Sequence, residues 1–130
     1  MAALFHSDIE LLLKSLQHDF PKIVSIGSIG KSFEKRNITL MTLDARQNLI
    51  EHGDKLFQKE RKDYKSKPAI VLTGQIHSRE AITSSMVLFT ALKLIHGGVV
   101  HKDKRYESLL AMNKYYIIPS INVDGVNFIE

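Results

Sequence analysis

Cysteine is absent from the 130 residues. Disulfide staples and thiolate metal sites are thereby excluded, and any metal must sit on His, Asp or Glu. Long apolar runs are missing as well: none approaches the roughly 18 residues needed to cross a bilayer, so no membrane span is expected. The opening residues, Met1-Ala2-Ala3-Leu4-Phe5-His6, carry neither the basic start nor the sustained apolar stretch of a secretion signal. No signal peptide is expected in this chain, and its compartment stays open. No internal repeat, low-complexity tract or Pro/Ser linker divides the sequence, so a single domain is expected over residues 1–130.

What is present fits an ordinary globular chain. Hydrophobic residues make up 44% and charged residues 25%, enough for a core. The net charge is +4, and much of the excess lies between Asp54 and Lys67, with six Lys/Arg against three acids. A basic partner surface and a solvated charged loop both fit this stretch. No aromatic–basic interleaving or binding motif accompanies the charge, so no nucleic-acid partner is expected.

Read in order, the pattern predicts an α/β fold with a mixed sheet flanked by helices. Ser7 and Glu10 have capping-box spacing, and Ile9, Leu12, Leu13 and Leu16 follow at helical intervals, predicting a helix over 8–19 closed by Pro21. Ile23 to Ile29 and Asn37 to Leu43 read as antiparallel strands joined through Gly30–Arg36. Gly30-Lys31-Ser32 is not a phosphate loop, because residue 25 is Ser where that loop needs glycine. Residues 45–67 lack a clean period, with Leu49-Ile50 and Leu56-Phe57 as anchors for a short helix. Pro68 to Gln75 reads as an apolar strand buried on both faces. A helix carrying Ile82, Met86, Leu88, Phe89, Leu92 and Ile95 should stop at Gly97-Gly98. A second helical piece over 107–112, a strand over 114–119 and a turn-rich loop over 120–125 complete the reading.

Chemistry concentrates in Gly74-Gln75-Ile76-His77-Ser78-Arg79-Glu80, where the strand gives way to the helix. An imidazole and a carboxylate three residues apart at such a turn can converge on one metal ion. The plainer reading is that His77 caps the turn and Glu80 sits favourably in the positive first turn of the helix. On these residues alone both readings stand. The other histidines, His6, His18, His52, His96 and His101, match no ligand spacing, and His96 suits a helix C-terminus.

Three ordered segments carry a resemblance. His77-Ser78-Arg79-Glu80 resembles the His-x-x-Glu zinc motif of the zinc carboxypeptidases of the carboxypeptidase A/B type, in which Arg commonly precedes the Glu. Gly30-Lys31-Ser32-Phe33-Glu34-Lys35-Arg36 is similar to that family's Gly-x-Ser-x-Glu-x-Arg hairpin. Ile118-Pro119-Ser120-Ile121-Asn122-Val123-Asp124-Gly125 resembles its strand ending in Asn-Pro-Asp-Gly, with Val123 in place of proline. Ala81 stands where many members have tryptophan.

The resemblance implies a zinc-dependent peptidase acting on peptide or protein C-termini, with His77 and Glu80 as ligands of one zinc ion. Arg79 then either contacts substrate or braces the turn, while Asn122 and Asp124 shape a loop. It also implies that the chain is the N-terminal portion of an incomplete zinc-carboxypeptidase (phosphorylase/hydrolase-like) domain. The third zinc ligand, the general-base Glu and the carboxylate-binding arginines are then expected beyond Glu130, leaving no catalytic residue within the chain. A related zinc amidohydrolase or deacylase, and a carboxypeptidase-like binding domain without activity, are the alternatives.

Overall fold

The computed structural model describes residues 6–45 and 67–129. The Leu49-Ile50 and Leu56-Phe57 anchors fall outside the described residues. Helix α1 (His6–Asp19) buries Ile9, Leu13 and Leu16 on one stripe, as their spacing requires. It begins two residues earlier than the capping box predicts. Ser7 lies inside it, and the Glu10 carboxylate accepts a 2.6 Å bond from Thr39 of the sheet.

Strands β1 (Val24–Lys31) and β2 (Asn37–Leu43) form the expected antiparallel hairpin. The register slips between Ser28 and Gly30, leaving Ile29 as the extra residue of a bulge. β2 continues antiparallel onto β4 (Lys114–Ile118), and β4 pairs in parallel with β3 (Ala69–Thr73). The sheet order is β1-β2-β4-β3.

The strand predicted to be buried on both faces is instead an edge strand among the described residues, with Val71 59% exposed. Register explains the difference. Ile70 and Leu72 align with Tyr115 and Ile117 on the helix-covered face, whereas Val71 aligns with Tyr116 on the other. An apolar run records what a strand can bury, and neighbours decide what it does bury.

Helix α2 (Ala81–Ile95) returns across the sheet and buries Leu88, Ala91, Leu94 and Ile95. It does not stop at Gly97-Gly98. The chain continues through a π turn (His96–Val100), with the His101 amide bonded to the His96 carbonyl at 2.8 Å. The two glycines allow close packing here: a Cβ on Gly97 would lie 2.3 Å from the Tyr106 ring, and one on Gly98 2.7 Å from Leu110. With the π turn, α2 becomes the one helix among the described residues long and apolar enough to cross a membrane, although the sequence holds no unbroken apolar run of that length. Its inner face belongs to the core, as expected of a helix packed on a sheet.

Helix α3 (Lys104–Met112) starts three residues before the predicted boundary. Asp103 caps it by accepting the Arg105 amide, and its bonds to the Arg105 side chain and backbone hold the carboxyl at about 2. The turn-rich stretch after β4 is also helical in part, because α4 (Val123–Ile129) begins within it. Asn122 supplies turn chemistry in the form of a cap: its side chain accepts the Gly125 amide and its carbonyl accepts the Val126 amide. The core lies between α1, α2 and α3 and one sheet face, centred on Leu13, Met41, Leu43, Leu88, Leu110 and Ile117.

Candidate metal centre

β3 and β4 run parallel, so their carboxyl ends open at the same edge of the sheet, where α/β folds place their sites. The turns leaving them are bonded together. Gly74 donates to the Ile118 carbonyl, Ile121 donates to that of Gly74, and Asn122 to that of Gln75, all at 2.9–3.1 Å. Gly74 has no room for a side chain: a Cβ would lie 2.5 Å from the Pro119 carbonyl oxygen and 2.9 Å from the Ser84 Cα. The next residue, Gln75, is buried and takes a left-handed conformation with φ 46°. Such a backbone costs a non-glycine residue of order 1 kcal/mol, so the surroundings must impose it.

The turn is then fixed by Thr83. Its hydroxyl accepts the Gln75 amide at 2.8 Å and donates to the Glu80 carbonyl at 2.7 Å. The Glu80 amide in turn bonds the His77 carbonyl at 3.1 Å. His77 and Glu80 thus sit on a turn held from both sides.

Their side chains converge. His77 Nδ1 and Glu80 Oε1 stand 3.2 Å apart, with 79% and 53% of the two side chains open to solvent. Two donors on one tetrahedral zinc stand about 3.4 Å apart, given zinc–nitrogen and zinc–oxygen bonds near 2.0–2.2 Å. The observed spacing therefore suits a shared ion as well as a direct hydrogen bond. Glu80 immediately precedes α2 and its side chain makes no hydrogen bond to the helix start, so the plainer reading, a carboxylate favourably placed at the positive end of a helix, also fits its position. Among the described residues, no group of three or more His, Cys, Asp or Glu side chains is placed to hold a metal. Arg79 projects from the same turn and is exposed, with no hydrogen bond or ion pair among the described residues.

Two of the sequence motifs meet some distance along the sheet edge from this pair. Asp124 accepts the Ser32 hydroxyl at 2.7 Å, the Glu34 amide at 3.0 Å and the Arg36 guanidinium at 2.7 Å. Glu34 also bonds Arg36. The Gly-x-Ser-x-Glu-x-Arg hairpin is thus the receptor for the aspartate of the Asn-x-Asp-Gly segment. Reading Asp124 only as a loop former missed this role. Desolvation raises its carboxyl, and the Glu34 amide, Ser32 hydroxyl and Arg36 guanidinium outweigh it, leaving the group below the usual carboxylate range.

The sequence model of the zinc carboxypeptidases matches residues 9–130. The chain belongs to the zinc carboxypeptidase family. Carboxypeptidase B of Astacus astacus is 29% identical over 120 residues, covering 92% of this chain and 32% of its own length. An inactive metallocarboxypeptidase of Saccharomyces cerevisiae is 27% identical over 118 residues, covering 90% of this chain and 24% of its own. The crystal structure of thrombin activatable fibrinolysis inhibitor aligns with a TM-score of 0.73 at 22% identity, covering 97% of this chain and 28% of that one. At that identity the likeness is one of fold, and it bears out the mixed sheet with flanking helices. The chain spans 32% or less of each of these proteins.

Proposed function

We propose that the protein is a zinc-dependent metallocarboxypeptidase that releases C-terminal residues from peptides or proteins. The observation carrying this reading is the 3.2 Å approach of His77 Nδ1 to Glu80 Oε1 on an exposed turn at the carboxyl end of β3, in a family named for zinc. In this reading His77 and Glu80 hold one zinc ion, and residues 1–130 are the N-terminal portion of the catalytic domain. The third ligand and the general-base glutamate come from outside residues 1–130, a view supported by the fraction of its relatives that the chain spans. Zinc, when bound, polarises the scissile carbonyl and lowers the pKa of its water.

This chain's own residues would bind and orient. Glu80 sets a negative charge beside His77, and Thr83 holds the turn that presents both. Arg79 binds substrate oxygen atoms in a neighbouring subsite, a role supported by the absence of a bracing contact to it among the described residues. A second reading, a carboxypeptidase-like domain without activity, is favoured by the inactive yeast relative.

The test is a peptide assay on the full-length protein. Free C-terminal peptides should lose their last residue, blocked ones should not, and chelation or His77→Ala should stop the reaction. Release of side-chain acyl or amide groups instead would identify a deacylase. Zinc retained without turnover of either substrate would identify the inactive domain.

A further inference from the structure

Asn37-Ile38-Thr39 is the one Asn-x-Ser/Thr triplet in the sequence, the pattern required for oligosaccharide transfer to asparagine. We propose that Asn37 is an N-glycosylation site and that the protein passes through a glycosylating secretory compartment.

The placement of the triplet fits an acceptor. Asn37 is exposed and opens β2 just after the hairpin turn, opposite Lys31 of the edge strand β1. Its Oδ1 accepts a 3.1 Å bond from Lys31 Nζ. Its Nδ2, the atom that takes the sugar, has no partner among the described residues, so a glycan there displaces nothing. The Thr39 hydroxyl, which the transferase must engage, is held by Glu10 at 2.6 Å in the fold. Transfer therefore belongs to the chain before it folds.

In the transfer, the bond between Asn37 Nδ2 and the sugar C1 forms. The C1–oxygen bond to a lipid-linked pyrophosphate oligosaccharide breaks, the amide loses one proton, and the lipid pyrophosphate leaves. In the folded protein the glycan stands at the sheet end that also carries His77, because the start of antiparallel β2 lies beside the end of β4. It is displaced from β3 by two strand spacings, roughly 10 Å, which leaves the metal turn open. It also lies beside β1, an edge strand among the described residues, where a bulky polar group hinders pairing with other chains.

The decisive measurement uses the full-length protein from its natural source, denatured and treated with peptide-N-glycosidase in 18O-labelled water before digestion. Mass spectrometry should find residue 37 as 18O-labelled aspartate. Residue 37 recovered as unlabelled asparagine overturns the proposal. A second arm secretes the chain from eukaryotic cells behind an added leader. Wild type and Thr39→Ser should run slowly on a gel until deglycosylated, whereas Asn37→Gln and Thr39→Ala should run at the deglycosylated position throughout. A wild-type band unmoved by the glycosidase also overturns it. Because transfer precedes folding, loss of the Thr39–Glu10 bond does not confound the comparison.

Discussion

The Arg36 guanidinium lies 2.7 Å from the Asp124 carboxylate, joining residues 88 positions apart in the chain. The contact ties the β1–β2 hairpin to the start of α4. Asn122, two residues before Asp124, bonds the turn that carries His77. A local tie at the hairpin thus helps to fix the loop on which the candidate metal centre rests.

The tie makes stability depend on pH with a definite sign. The Asp124 carboxyl titrates below its ordinary value in the folded state. Its contribution is therefore present above the unfolded carboxylate pKa, about 3.9, and is lost as pH falls through the lower folded value. Asp124→Asn should lower the thermal midpoint at neutral pH, and its gap to wild type should shrink in acid. A gap that is constant with pH would contradict the assignment.

Gly74→Ala should destabilise strongly, because its Cβ meets two backbone segments rather than a movable side chain. We expect a loss of about 3 kcal/mol or failure to fold, read by urea denaturation. A change below about 0.5 kcal/mol, the range of neutral surface substitutions, would show that the two turns are not packed as described.

Two apolar positions give opposite expectations. Ile117 is fully buried between Met41 and Leu72 in the sheet register, so Ile117→Ala should cost about 2–5 kcal/mol. Phe33 at the hairpin tip is 95% exposed, and Phe33→Ala should fall within about 0.5 kcal/mol of wild type. Chemical denaturation of both variants checks the pair, and equal losses would contradict the packing.

How much was legible in the sequence varied with the distance over which each signal acts. α1, the hairpin and β4 were readable because periodicity and turn residues are local. Gly97-Gly98 misled because glycine at a helix end and glycine at a tight helix contact look alike until Tyr106 and Leu110 are in place. Asn122 announced special backbone chemistry without revealing that the chemistry was a helix cap. The spacing of His77 and Glu80 left a metal and a structural reading open, and the resemblance of their segment to the family's zinc motif is what favoured the metal. Thr83 and Gln75, which hold their turn, were missed because their bonds are visible only once the strand and helix have packed. Asp124 was misjudged for a similar reason: its partners lie 88 to 92 residues away.

Residues 1–130 taken alone should associate. Ile82, Met86 and Phe89 form an exposed stripe on α2, and Val71 is exposed on the sheet face away from the helices. Sedimentation velocity should show growth in size with concentration, reduced by Phe89→Lys. A monomer at all concentrations would contradict this.

Whether His77 and Glu80 share one zinc ion, as proposed, is tested most directly by zinc anomalous scattering from crystals of the full-length protein. A single peak within about 2.0–2.2 Å of both His77 Nδ1 and a Glu80 carboxylate oxygen is the predicted result. A zinc peak elsewhere, with His77 and Glu80 still hydrogen-bonded to each other, would contradict the account.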